Sequence, residues 1–93
     1  MSVKIFIKRD VQDNNFAELN VLLKNLRALT LNQPGYISGE TLQRIDKPNE
    51  SMVISTWRSV GDWNNWVNNA KRLELQKKID ELLGHETDYA VYE

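Results

Sequence analysis

The stretch from Gln33 to Trp66 constrains the fold more than any other part of the chain. It opens with Pro34-Gly35, a pair that ends a helix and turns the chain. Two extended runs follow, Tyr36–Ile45 and Ser51–Arg58, with the polar link DKPNE between them. Because this link contains a proline and an asparagine and is long enough to reverse the chain, the pattern predicts an antiparallel β-hairpin.

After the hairpin, the pattern changes from strand to helix at Ser59. Ser59 and Asp62 have the spacing of a capping box, in which side-chain oxygens accept hydrogen bonds from the free amides of a first helical turn. Two tryptophans and further apolar residues then follow at helical spacing, and the pattern continues to Gly84, a natural helix stop. Its apolar residues divide between two faces, which predicts either a kink near Asn68-Asn69 or two successive helices.

The remaining segments complete a simple alternation of elements. Val3–Arg9 and Thr87–Glu93 alternate in the manner of strands. The leucine-rich stripe between Phe16 and Leu29 predicts a helix, with Asn15 or Asp13 as its cap. The order β-α-β-β-α-β predicts an α+β, ferredoxin-like fold with a four-stranded antiparallel sheet.

Neither face of the predicted hairpin is cleanly polar, whereas an antiparallel sheet with one hydrated face should alternate more sharply. Both faces are therefore expected to be covered, one by the helices and the other by a second sheet. A chain of 93 residues has no second sheet of its own, so we predict a homodimer formed through the sheet faces. The two faces of the second run are Val53, Ser55 and Trp57 against Met52, Ile54 and Thr56.

Composition argues against several classes of function. With 12 basic and 13 acidic residues, the net charge of −1 provides no basic surface for nucleic acid or for a membrane. No apolar run approaches the ~20 residues that span a membrane. The absence of cysteine fits a cytoplasmic location. His85 is the single histidine, so no metal site is expected. We expect one domain over residues 1–93.

The residues of the helical segment also have purely structural interpretations. Trp63 and Trp66 lie one turn apart, so one is expected to face the sheet and the other to face solvent or the partner. Lys71-Arg72 and Lys77-Lys78 lie among acidic residues, a pattern that predicts a solvated helical face. Trp57 fits a core position as well as a ligand-binding one.

The element order, together with PGYISGE at strand two and VISTWRSVGDWNNW from strand three into the helix, resembles the antibiotic biosynthesis monooxygenase superfamily. The resemblance covers nearly the whole chain. Its most specific parts are Pro34-Gly35-Tyr36, Trp57-Arg58-Ser59 and Trp66. It implies a homodimer in which two sheets face each other in an α/β barrel, with a cavity between the sheet and the helices of each subunit.

Some members of this superfamily degrade haem, and the resemblance to that branch is incomplete. There a helical His binds the iron, a helical Trp packs on the porphyrin, and a strand-one Asn assists the bound oxygen. Trp66 matches the Trp, but Gln76 stands at the His position, and strand one offers Ile7 or Lys8 in place of the Asn. Because glutamine is a poor iron ligand, haem degradation is not expected and no cofactor is predicted.

A second branch oxidises aromatic polyketides without metal or flavin, and its strand-three Asn and Trp and a later Arg hold the substrate and stabilise its anion. Trp57 matches the Trp, Val53 replaces the Asn, and Lys77 stands at the Arg position. The resemblance implies a cofactor-independent monooxygenase of a small electron-rich aromatic or quinol-like substrate, with Lys77 and Trp57 catalytic. A non-catalytic dimer that binds a small hydrophobic molecule is the alternative. The predicted substrate-binding residues are Trp66, Val53, Ser55 and Gln76.

Overall fold

The computed structural model describes residues 2–11 and 16–93, so the predicted helix cap at Asn15 or Asp13 lies outside the described residues. None of the described helices is long and apolar enough to cross a membrane. The elements in chain order are β1 (Val3–Asp10), α1 (Phe16–Thr30), β2 (Tyr36–Gln43), β3 (Glu50–Trp57), α2 (Val60–Val67), α3 (Ala70–Leu83) and β4 (Asp88–Tyr92).

The four strands form one antiparallel sheet in the order β2-β3-β1-β4. The central pair, β1 and β3, is in register from Val3 opposite Trp57 to Asp10 opposite Glu50. The C-terminal strand β4 pairs with the other side of β1. This arrangement confirms the predicted α+β ferredoxin-like fold and the predicted hairpin.

The hairpin link begins two residues earlier than the sequence predicted, because β2 ends at Gln43 rather than at Ile45. Arg44 explains the difference. Its amide donates to the Glu50 carbonyl at 3.0 Å, and its guanidinium donates to both carboxylate oxygens of Asp46 at 2.6 and 3.0 Å. The ion pair between Arg44 and Asp46 therefore holds the link in a folded conformation, and the strand does not continue through it.

The helical segment after β3 consists of two helices, which confirms the predicted break. Ser59 caps α2 by accepting a hydrogen bond from the Asp62 amide at 3.2 Å. Asn69 caps α3, and its Oδ1 accepts from two first-turn amides at 3.0 and 3.2 Å. Gly84 ends α3 in the left-handed conformation, with φ at 80°. Because α3 has its own cap, its helical phase is independent of the phase of α2.

The helices cover one face of the sheet. The core on this face joins the inward residues of β1 to the three tryptophans, and a second cluster joins α1 to α3. These clusters fix the distance between the helices and the sheet. The first contains Val3, Ile5, Ile7, Trp57, Trp63 and Trp66, and the second contains Val11, Leu19, Ile79 and Leu83.

The opposite face of the sheet is apolar at its centre and is not covered by the helices. The strand register places Phe6, Ile54, Met52 and Tyr92 on this face, where Phe6 and Tyr92 meet edge to face at 4.9 Å between ring centroids. Tyr92 remains 59% exposed. The structure therefore has an open apolar sheet face at the surface for which the sequence predicted a partner sheet.

Candidate functional site

A cavity of about 490 Å³ lies between the helix-covered face of the sheet and helices α1 and α2. Strands β1, β2 and β3 form its floor, while α1, α2 and the first turn of α3 form its walls. Most of its lining surface is apolar, as is usual in small-molecule sites, although ten of its 18 described lining residues carry polar or charged side chains. The apolar, aromatic and hydroxyl side chains that line it include Ile7, Leu23, Leu26, Thr30, Tyr36, Thr41, Ser51, Val53, Ser55, Trp63 and Trp66.

Both tryptophans of α2 line the cavity, and they are only 5% (Trp63) and 4% (Trp66) exposed. The expectation that one of the two would face solvent or a partner is therefore wrong. Residues three apart lie on the same face of a helix, and α2 presents that face to the sheet.

Trp57 lies directly behind the cavity wall and is fully buried. Its Nε1–H donates to the Ser55 Oγ at 2.6 Å. Its ring meets the rings of Tyr36 and Trp63 edge to face, with centroid distances of 5.4 and 5.8 Å. All three of these neighbours line the cavity, so Trp57 fixes the positions of residues that a ligand would touch.

Two buried arginines also line the cavity, Arg9 on β1 and Arg72 on α3, each 3% exposed. The interpretation of Arg72 as part of a solvated helical face is wrong. The new helical phase that starts at Asn69 turns Arg72 towards the core, in line with the buried residues Gln76, Ile79 and Leu83.

The Arg72 guanidinium lies between two aromatic rings. Its carbon Cζ is 5.6 Å from the centroid of the Trp63 ring and 5.3 Å from that of Tyr89, within the range of cation–π attraction. Nη2 donates to the Tyr89 hydroxyl at 2.5 Å, and Nη1 donates to the Val67 carbonyl at 3.4 Å. All of these partners are neutral, so they orient the guanidinium without neutralising it.

Arg9 has fewer partners. Its Nε is buried and has no hydrogen-bond partner in residues 2–11 and 16–93. Burial lowers the pKa of Arg9 from its usual value, and the charge of Arg72 lowers it further, while Tyr89 and Asp80 act in the opposite direction. The Asp80 Oδ1 itself accepts hydrogen bonds from Gln76 Nε2 and Thr87 Oγ1, both at 2.8 Å.

Of the sequence-predicted site residues, the cavity brings together Val53, Ser55 and Trp66, with Trp57 behind them. Lys77 lies elsewhere, exposed in a shallow surface depression beside His85. Its catalytic role stays a prediction and gains no support from the cavity.

Gln76 does not line the cavity either, although it is buried. Its Nε2 donates to Asp80 and to Thr87 Oγ1, the latter at 2.9 Å, while its Oε1 has no partner among the described residues. Its substrate-binding role also stays a prediction. In the described part of the chain, no group of three or more histidine or acidic side chains is arranged to hold a metal ion.

The sheet order and the placement of the helices define the class of protein: a ferredoxin-like α+β domain with a cavity, lined in part by aromatic residues, on the helical side of its sheet. Comparison of the sequence with known families identifies the family. The chain belongs to the antibiotic biosynthesis monooxygenase family, whose sequence profile matches residues 2–78.

Individual relatives are distant in sequence and close in fold. Protein SchA of Streptomyces halstedii is 23% identical over 78 residues, which are 84% of this chain but only 20% of SchA. The chain thus spans about a fifth of the length of that curated relative. A conserved protein from Methanosarcina mazei superposes with a TM-score of 0.90 at 22% identity, covering 99% of this chain and 91% of the other. SnoaB, a cofactor-independent oxygenase from Streptomyces nogalater, superposes with a TM-score of 0.85 at 17% identity and the same coverage.

Proposed function

We propose that this protein is a cofactor-independent monooxygenase that oxidises a small electron-rich aromatic or quinol-like substrate inside the cavity. The observation that carries the proposal is the cavity of about 490 Å³, whose walls include the rings of Trp63, Trp66 and Tyr36. Its volume lies within the roughly 300–1,000 Å³ of small-molecule sites. Membership of the family and the fold shared with a cofactor-independent oxygenase support the same activity.

The chemistry of such a reaction resides in the substrate. A methylene group between two electron-rich rings loses a proton, and the resulting carbanion reacts with O₂. Overall, CH₂ and O₂ give C=O and H₂O, so the substrate supplies all four electrons and no external reductant is needed. The protein contributes orientation, exclusion of water and stabilisation of the substrate anion.

Ser55 is a neutral hydrogen-bond donor for that anion. Its Oγ accepts the Trp57 Nε1–H, so its own hydroxyl hydrogen remains available to an oxyanion in the cavity. Trp57 would then act as a positioning residue that fixes the direction of the Ser55 hydroxyl. Trp63 and Trp66 supply flat surfaces against which an aromatic substrate packs.

Oxygen uptake tests the proposal directly. We expect the purified protein to accelerate O₂ consumption by at least one compound in a panel of anthrones and quinols, with one quinone formed per O₂ from an anthrone. Ser55→Ala should lower this rate by at least about tenfold if the hydroxyl stabilises the anion. Uptake no faster than the uncatalysed reaction across the panel would overturn the enzymatic function.

A non-catalytic protein that binds a small hydrophobic molecule is the second candidate. Val53 favours it, because this cavity-lining residue stands where the polyketide-oxidising branch carries a hydrogen-bonding asparagine. Oxygen uptake distinguishes the two candidate functions. Ligand binding without any oxygen uptake supports the binding protein.

We also propose that the protein forms a homodimer through the open sheet faces. The support is the apolar surface made by Phe6, Ile54, Met52 and Tyr92, which the helices leave uncovered. An interface of this kind should bury more than ~1,200 Å² in total, the lower limit for specific association. A cytoplasmic location stays a prediction.

A further inference from the structure

The cavity is more positively charged than the protein as a whole, which carries a net charge of −1. Lys24 and Arg27 are exposed on α1, whereas the other two basic side chains are buried. Basic residues are thus concentrated around the cavity. Among the described residues, the charged residues that line the cavity are Arg9, Lys24, Arg27 and Arg72 against Glu40, which the strand register pairs with Ile54 of the open face.

The two buried guanidinium groups, those of Arg9 and Arg72, have no ion-pair partner among the described residues. Asp80, which acts on Arg9 electrostatically, already accepts two other hydrogen bonds. A buried charge without a paired opposite charge is unfavourable, so the ligand-free fold carries a cost that a bound anion would remove.

We propose that Arg9 and Arg72 form a binding site for a carboxylate carried by an aromatic ligand whose rings pack against Trp63 and Trp66. A guanidinium presents its N–H donors as a planar fork that matches the two oxygens of a carboxylate. The proposal rests on the small-molecule function proposed above and narrows it, because the ligand becomes an aromatic acid rather than a neutral quinol.

A carboxylate fits this site better than a phenolate. Arginine remains charged at every physiological pH, and a carboxylate, with a pKa near ~4, remains charged with it. A phenol, with a pKa near ~10, is neutral at pH 7 and would have to lose a proton on binding. The two guanidinium groups therefore match a ligand group that is already an anion at pH 7 better than one that is neutral there.

A matched pair of ligands tests the charge requirement. 2-Naphthoate and 2-naphthamide have nearly the same shape and differ in charge, and calorimetric titration gives their dissociation constants. We expect the protein to bind 2-naphthoate at least about tenfold more tightly, since charge-assisted hydrogen bonds are the stronger kind, with no change between pH 6 and pH 9. Equal affinities, or an affinity for 2-naphthol that rises with pH and exceeds that for 2-naphthoate, would overturn the proposal.

Substitutions identify the residues. Arg9→Met and Arg72→Met should each abolish the preference for 2-naphthoate, whereas Lys71→Met, an equal change of charge at the exposed neighbouring position, should preserve it. Ligand-free Arg9→Met should also melt at a higher temperature than the wild type, because it removes an unpaired buried charge. A lower melting temperature together with an unchanged preference for 2-naphthoate would mean that Arg9 is structural, and the proposal would be wrong.

The carboxylate site and the monooxygenase activity can be tested separately. The titration measures binding and needs no oxidation, whereas oxygen uptake measures turnover. A preference for 2-naphthoate without oxygen uptake from any substrate supports the carboxylate site and overturns the monooxygenase. Oxygen uptake that is as fast with neutral anthrones as with anthrone carboxylic acids overturns the carboxylate site and leaves the monooxygenase in place.

Discussion

The hydrogen bond between Trp57 and Ser55 is predicted to couple these two residues energetically, and this coupling can be measured. Both side chains are buried, at 0% and 5% exposure, and the Nε1–Oγ distance is 2.6 Å. The perturbation is a double-mutant cycle of Trp57→Phe and Ser55→Ala. Each single change breaks the same hydrogen bond, so the two effects on the free energy of unfolding should be coupled.

The magnitudes follow from the two environments. Trp57→Phe loses the hydrogen bond, about 1 kcal/mol, and part of a packed indole, about 1–2 kcal/mol more. Ser55→Ala leaves a buried indole N–H unpaired, at a cost of about 1–3 kcal/mol. In the double variant no group is left unpaired, so its cost should fall short of the sum by about 1 kcal/mol. Complete truncation, Trp57→Ala, should cost about 3–5 kcal/mol.

Urea denaturation at a fixed protein concentration, followed by far-ultraviolet circular dichroism, measures all four free energies. Ser51→Ala is the matched control, because Ser51 is on the same strand face but distant from Trp57, and its cost should simply add to that of Trp57→Phe. Additivity within about 0.5 kcal/mol for the Trp57 and Ser55 pair would refute the reasoning.

Three further predictions concern other parts of the molecule. Lys77→Met should leave the free energy of unfolding and the rate with a confirmed substrate nearly unchanged, because Lys77 lies outside the cavity; a marked loss of rate would return Lys77 to the mechanism. Ile54→Asp should dissociate the proposed dimer at micromolar concentration in analytical ultracentrifugation, whereas a wild-type protein that sediments only as a 10.9 kDa species would contradict the dimer. The pKa of His85 is raised by hydrogen bonds to the Glu86 and Asp10 carbonyls; its stabilising effect should be complete below pH ~6.5 and lost as the pH rises through the raised pKa. Melting temperatures of the wild type and His85→Gln at several pH values measure this effect, and a constant difference between them would contradict it.

The sequence was sufficient for the fold because each element carries its own local signal. The break between α2 and α3 is an example, since the cap at Asn69 and the divided apolar faces both mark it. Arg9 could have been placed in the core as well, because it continues the alternation of Val3, Ile5 and Ile7. A charged residue at such a position is unusual, and this departure from an apolar stripe is the signal that marks Arg9 in the sequence.

The cation of the cavity could not be predicted by counting along the chain. Lys77 stands at the arginine position of the polyketide-oxidising branch only when residues are counted across the break at Asn69. A new helix starts there with its own phase, so the distance in sequence no longer fixes the direction of a side chain. The volume of the cavity depends on how far α1 stands from the sheet, which no single residue determines.

The break at Asn69 therefore has a consequence for the charge of the cavity. In an uninterrupted helix, with about 100° of rotation per residue, Arg72 would point roughly 180° away from Trp63, nine positions earlier. The structure instead places the Arg72 guanidinium over the Trp63 ring. The deletion or insertion of a single residue within α3, between its cap and Arg72, would rotate the arginine by about 100°, and it would rotate the buried Ile79 and Leu83 by the same angle, since they share its face. The direction of the cavity arginine is therefore tied to the packing of α3 against α1.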